Sequence, residues 1–436
     1  MALALVTGLC LSRNLGGPAM ALTLVEELKK RISDIDFVFA VTPFSFEQEE
    51  RWAKHYGLKI VRGDIFLSYL SATNPVLKIA KLPYRLLRRR PLFDNTYAAI
   101  ARSVHEEFMA SYEKCDLVID MQGISYVGDG ARGPFEGINS YSNQYYANKY
   151  KKPFAFFIQS FGPFNDWKVR FFARKAFEQV DFVPARGKNS ARYCREIVKD
   201  PTKVYDFPDV AILLPTNVSW AELFLRQHNL SPKGYVIVSP SSVIFKAVST
   251  SVGGAVGEKH IDSMIKVCKL LIRRSEFIVF LPHMYSNNPN ECDRHVAKLI
   301  ASHLPKSSYV IVEEDIDPMM AKGLISLAKY AIVSRYHALV AALSTGVDVI
   351  TIGWNIKYQD MMEYYGKEKF AIDVRSHTPV TLAAKVQELL DDPTFHDINA
   401  RHESFEHFHS YAIERVNLAF QLLSQWTQKA LSDANT

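Results

Sequence analysis

Apolar residues recur in short runs along nearly the whole chain, separated by stretches with helical periodicity. Runs at 3–7, 36–41, 58–61, 116–121, 154–159, 182–185 and 204–206 predict strands. Between them "LTLVEELKKR", "FEQEERWAKHY" and "WKVRFFARKAFEQV" repeat apolar positions every three to four residues, as amphipathic helices do. Strands that are apolar on both faces and alternate with helices mark a parallel sheet covered on each side. The alternation pauses at "PDVAILLPTNVSWAELFLRQHNLSPKG", where prolines and polar residues cluster, and resumes with strands at 235–239, 277–281, 308–312, 330–334, 347–352 and 370–373. The expectation is an α/β protein of two Rossmann-like doubly wound domains facing a cleft, residues 1–215 and 216–436, with a linker near 210–232. The last helical stretch, from residue 398, is expected to pack back toward the N-terminal domain.

In open α/β sheets ligands bind beyond the carboxyl ends of the strands, so the residues at those ends are the candidates for chemistry. The strongest signal is "YAIVSRYHALVAALSTGVDVITIGW" at 330–354. There a buried strand turns into a small-residue helix through Ser334, Arg335 and His337. Ser334 is the expected N-cap, and the free N–H groups of the first turn favour an anion. Arg335 adds a charged planar fork and His337 a group that exchanges protons near neutral pH. Other strand ends supply Ser239, Ser241 and Ser242 with Lys246 beyond them, then His283, then Trp354, Lys357 and Tyr358. From the first domain come Asn14, Asp120, Gln122, Asp129, Gln159 and Arg186. The competing reading of each is structural: Arg335 paired with an acid, Arg186 capping a helix, the serines as turn residues and Trp354 as packing. "NLGGPA" is not a GxGxxG fingerprint, so no dinucleotide is inferred from it.

Composition narrows the classes. The chain has 436 residues, 48% hydrophobic and 22% charged, which is globular and long enough for two cores. The five cysteines form no CxxC pair or zinc spacing, and no carboxylate cluster suggests a divalent ion, so no metal is expected and the simplest setting is the reducing cytoplasm. "MALALVTGLCLS" lacks a basic leader and is read as the first strand rather than a signal peptide. Net charge is +6, with one basic cluster at Lys78, Lys81, Arg85, Arg88, Arg89 and Arg90. That cluster reads either as a solvated helix face or as a patch for peripheral contact with an anionic membrane or a phosphorylated acceptor. No nucleic-acid motif accompanies it.

The segments "VSRYHALVAALSTGVDVITIGWNIKYQDMMEYYG", "FFIQSFGPF", "ARGKNSARYCREI", "DVAILLP", "VSPSSV", "LPHMYSNN" and "LVIDMQGISYVGDG", taken in chain order, resemble the polysaccharide pyruvyl transferase family. The resemblance implies a glycosyltransferase-B-like architecture and transfer of the pyruvyl unit of phosphoenolpyruvate onto two sugar hydroxyls, giving a ketal and phosphate, with no cofactor. It also implies that Arg335 binds the donor and His337 supplies the acid. Ser241, Ser242, Lys246, Ser334, Trp354, Lys357 and Arg186 are then the donor-side candidates, and Asn14, Gln122, Asp129 and Gln159 the acceptor-side ones. The base is either His283 or Asp129. Where relatives carry a glycine triplet this chain has "DMQGISYVGD". The expected partners are phosphoenolpyruvate and a saccharide, free or lipid-linked. Two alternatives share the architecture: a nucleotide-sugar-dependent glycosyltransferase or epimerase, and a saccharide-binding protein without activity.

Overall fold

A computed structural model describes residues 1–42, 45–63, 95–128, 136–245, 255–395 and 398–434. The N-terminal half holds strands β1 (Ala2–Thr7), β2 (Ile35–Val41), β3 (Lys59–Arg62), β4 (Leu117–Asp120), β5 (Ile124–Ser125), β6 (Phe154–Phe156), β7 (Ser160–Phe161), β8 (Val183–Arg186) and β9 (Val204–Phe207). Five of them form one sheet in the order β3-β2-β1-β4-β6, with every pairing parallel. Side chains on β1 alternate between faces, and both faces are covered. Ala4 and Val6 enter one apolar cluster with the helix Gly16–Arg31, and Leu5 enters another with Phe108 and Phe156. This is why the run is apolar at every position rather than at every second one.

The C-terminal half repeats the design with β10 (Val236–Ser239), β11 (Ile278–Phe280), β12 (Tyr309–Ile311), β13 (Ala331–Val333), β14 (Val349–Gly353) and β15 (Ala371–Asp373). Their order, β12-β11-β10-β13-β14-β15, again reverses direction beside the first strand. The switch points therefore lie between β1 and β4 in one sheet and between β10 and β13 in the other. All thirteen strands expected from the apolar runs are present, shifted by one to three residues at their ends. The short parallel pair β5 and β7 was not expected, because two-residue strands leave no periodicity to read. Nor is 210–232 simply a linker: it contains the turn Val210–Leu213 and the helix Val218–Gln227, capped where Asn217 Oδ1 accepts from Trp220 N at 3.1 Å.

Contacts between the two halves are specific. Leu15 N donates to His283 O at 3.0 Å and Tyr285 N to Arg13 O at 2.8 Å, with Asn14 bridging Met284, so the loop before the first helix is zipped to the segment after β11. The final helix Ile398–Ala434 crosses over: Phe420 packs on Phe157 at 4.9 Å between ring centres, and Arg31 Nη2 donates to Asn417 Oδ1 at 3.1 Å. Among the described residues no helix is long and apolar enough to cross a membrane. All five cysteines are free.

Candidate functional site

At the C-terminal switch point β10 ends in Ser239 and β13 in Val333, so Ser241, Ser242, Ser334, Arg335 and His337 converge on the sheet rim. The cap assignment expected from the sequence is corrected here. Arg335, in extended conformation, is the N-cap of the helix Tyr336–Ser344, and Ser334 lies one residue outside it. The hydroxyl of Ser334 is buried and has no hydrogen-bond partner among the described residues, and the same is true of Ser241 Oγ and His337 Nε2. A buried polar atom without a partner is costly, and three gathered on one rim fit a site shaped for something polar.

Arg335 is held by an acid, as its structural reading required. Its Nε donates to Asp293 Oδ2 at 2.7 Å and its Nη2 to both Asp293 Oδ1 and Ser242 Oγ, the latter at 2.9 Å. Asp293 is fully buried and also accepts from Ser242 N at 2.8 Å and His283 N at 3.2 Å. The carboxylate therefore ties three strand ends together, and Nη1 of Arg335 makes no hydrogen bond to the described residues.

His337 faces a second buried acid. Its Nε2 is 3.6 Å from Asp209 Oδ2, beyond a direct hydrogen bond, so the contact is electrostatic. Arg186 Nη1 donates to the same oxygen at 2.5 Å, and Ala211 N donates to Oδ1 at 2.9 Å. Burial alone would raise the Asp209 pKa, but His337 and Arg186 hold it well below the usual carboxylate range. Burial lowers the His337 pKa, and Asp209 opposes that. Arg186 is itself buried, with its Nε on Ser160 Oγ at 3.1 Å and its plane 4.6 Å from the Tyr336 ring. With its guanidinium so engaged it supports the site from behind and does not line it, which corrects its place among the donor-binding residues. Lys357 stands over the same ring at 4.9 Å, so two cations meet Tyr336.

His283 is buried at the end of β11, with Nδ1 3.2 Å from Ser239 Oγ and 3.3 Å from Leu281 O. Burial pulls its pKa down to about 4, so it is neutral at physiological pH. His283 and His337 share the lining of a cavity of about 20 Å³ with Lys322 and Leu15. Lys322 is also buried, its pKa lowered to about 8 by desolvation, and its Nζ donates to Ile212 O at 3.0 Å and Leu214 O at 2.7 Å. That fixes the turn carrying Asp209. Trp354 is half-buried and packs against the apolar core.

The first-domain candidates are used differently from expectation. Asn14 Oδ1 accepts from Gly16 N and Gly17 N, both at 3.0 Å, so it caps the first helix. Gln159 is fully buried, donating to Asp120 Oδ1 at 3.0 Å and accepting from Ser125 Oγ at 2.9 Å. Gln122 donates to Asp120 Oδ2 at 3.2 Å. Asp120, buried at the switch point, further receives Thr7 Oγ1 at 2.9 Å and Asn143 Nδ2 at 2.7 Å. With neutral donors only, burial raises its pKa. Gln159 thus braces Asp120. Asp129, Lys246 and the basic cluster at 78–90 lie outside the described residues. The residues that sequence reasoning missed are Asp209, Asp293 and Gly16.

Comparison with known proteins agrees with this architecture. The family model for polysaccharide pyruvyl transferases matches residues 14–356. The amylovoran biosynthesis protein AmsJ of Erwinia amylovora is 22% identical over 293 residues, 66% of this chain and 68% of that protein. Among solved structures, the UDP-GlcNAc 2-epimerase of Neisseria meningitidis bound to UDP-GlcNAc superposes with a TM-score of 0.58 at 13% identity, covering 98% of this chain and 100% of that one. A UGT transferase of Siraitia grosvenorii in complex with UDP gives a TM-score of 0.55 at 10% identity, covering 97% and 99%. At these identities the structural likeness concerns the fold, which is glycosyltransferase-B-like.

Proposed function

Because this chain belongs to the polysaccharide pyruvyl transferase family, we propose that it transfers the pyruvyl unit of phosphoenolpyruvate to two hydroxyls of a saccharide, in the cytoplasm, during synthesis of an exopolysaccharide or cell-surface glycan. The observation that supports this reading is the pair of buried hydroxyls of Ser241 and Ser334, without hydrogen-bond partners among the described residues, beside Arg335 and His337. Phosphoenolpyruvate brings a phosphate and a carboxylate, which call for hydroxyl and cationic donors in a dry setting. Ser241, Ser334, Nη1 of Arg335 and Lys357 supply them.

The chemistry needs a proton on the donor methylene before C2 becomes electrophilic. His337 gives that proton, oriented by Asp209, while Arg186 keeps Asp209 ionised. A sugar hydroxyl then attacks C2, a second closes the ketal, and the C2–O bond to phosphate breaks. The two hydroxyl protons end on the new methyl group and on phosphate, so the balance closes without an external acid or oxidant. His283, neutral and lining the same cavity as His337, is the group assigned to accept a hydroxyl proton.

The test is incubation with phosphoenolpyruvate and a panel of saccharides in heavy water, following phosphate release and product mass. A ketal whose methyl group carries one solvent deuteron is expected. A product heavier by a hexosyl unit, or turnover with a nucleotide sugar and none with phosphoenolpyruvate, overturns the assignment.

A further inference from the structure

The helix Trp167–Glu178 presents a face unlike the rest of the described surface. Val169, Ala173, Ala176 and Phe177 are buried beneath it, and Phe172 packs on Tyr141 at 5.7 Å between ring centres. The opposite side exposes Trp167 at 73% and Phe171 at 58%, one turn apart. At about 100° per residue, Trp167 and Phe171, with Glu178 at the far end of the helix, fall in the middle of an arc of about 160° whose edges are Arg170 and Arg174 on one side and Lys175 and Lys168 on the other. None of these four cations forms an ion pair among the described residues; Lys168 and Lys175 lean over the rings of Trp167 and Tyr141 at 5.8 and 5.1 Å. The nearby acids are occupied. Asp166 caps the helix, accepting from Lys168 N at 2.7 Å, and Glu178 at its last turn accepts from Lys199 N at 2.8 Å.

We propose that this face docks the protein on an anionic phospholipid surface, with Trp167 and Phe171 entering the interface and the four flanking cations meeting lipid phosphates. Aromatic side chains at the centre with cations on both flanks is the arrangement an interfacial helix needs, since rings take the acyl boundary and ammonium and guanidinium groups reach outward to the headgroups. Charge complementarity chooses the partner. The arc carries no neutral hydrogen-bonding side chain with which to read a sugar or a base. The helix begins beside the 163–166 turn, which packs on Gly128, so docking brings the N-terminal half toward the membrane. The proposal does not depend on the reaction assigned above.

The experiment is co-sedimentation of the full chain with phosphatidylcholine vesicles, with and without phosphatidylglycerol, at low and physiological salt. The wild type is expected to partition onto the anionic vesicles and to weaken as salt rises. Arg170→Gln with Arg174→Gln should reduce partitioning about fivefold for each charge removed. Trp167→Ser with Phe171→Ser should reduce it at both salt concentrations. Brominated lipid should quench wild-type fluorescence more than that of Trp167→Phe. Both surface pairs leave the melting temperature unchanged, which separates loss of docking from loss of fold. The proposal is overturned if the wild type ignores anionic vesicles at low salt, if neither pair alters partitioning, or if the face proves to bind a soluble anionic polysaccharide and no vesicle.

Discussion

The imidazole of His337 lies directly on the backbone of Gly16, where a β-carbon would stand 2.1 Å from Nδ1 and 2.2 Å from Cε1. The glycine pair in "NLGGPA" is thus explained without a nucleotide. Gly16 makes room for the histidine of the other half, and Gly17 makes room for Cys10 O, which a β-carbon would approach to 1.8 Å.

Gly16→Ala should therefore cost about 1–3 kcal/mol through overpacking, although alanine is the better helix former by up to ~1 kcal/mol. In a His337→Ala background the same change should be neutral or stabilising, because the ring it strikes is gone. Urea unfolding of the four proteins in this cycle measures the coupling. Equal destabilisation in both backgrounds would falsify the contact.

Arg335 and Asp293 make a second coupled pair. Arg335→Ala leaves a buried carboxylate without its cation, and a loss on the order of 3–5 kcal/mol is expected. Pairing it with Asp293→Asn should recover part of that stability and none of the activity. For this reason Arg335→Ala alone cannot report donor affinity, and binding of phosphoenolpyruvate is better compared between Asp293→Asn and the double variant. Additive stability losses would show that the two side chains act independently.

The strands and the Arg-x-His pair were legible because they depend on local pattern: continuous apolar runs, and charge placed where a run ends. Their acids were not. Asp293 reaches Arg335 across 42 positions and Asp209 reaches Arg186 across 23, and only the closed fold brings them together. Asp209 did leave a trace, as a carboxylate opening the turn after β9 with a backbone N–H on its side chain. Gln159 and Arg186 sit at strand ends as read, yet a strand end decides only which rim a side chain joins. Whether it meets a ligand or braces a neighbour depends on burial, which sequence spacing does not carry.

If His337 delivers a proton, the reaction needs it protonated, and burial has lowered its pKa. Rate under kcat/KM conditions should then fall as pH rises through a value below the ordinary imidazole range. Asp209 opposes the lowering, so Asp209→Asn should move that limb to still lower pH while keeping an acceptor for Arg186. The pH profile, rather than the rate at one pH, is the measurement. An unmoved limb would assign the titration to another group.

Asp360 offers a stability test in which the sign is fixed by geometry. From the helix Ile356–Glu363 it faces the start of the helix Lys188–Arg195, accepting from Asn189 N at 3.1 Å and Asn189 Nδ2 at 2.6 Å through Oδ1, while Oδ2 is buried and has no hydrogen-bond partner among the described residues. Burial raises its pKa from 3.8 to about 6, against the bonds from Asn189 and with help from Glu363. The folded state then holds the proton more tightly than the unfolded chain, so this residue's contribution is most favourable below pH 3.8, declines as pH rises to about 6, and is flat above that. The ionised carboxylate costs on the order of 3 kcal/mol at neutral pH. Asp360→Asn keeps the acceptor for Asn189 and removes the charge. The variant should be more stable than the wild type at neutral pH, with the gap closing as pH falls through the window. Denaturant unfolding of both proteins at acidic and neutral pH decides it, and a variant less stable at neutral pH would mean that the charge is favourable where it stands, held there by the helix terminus.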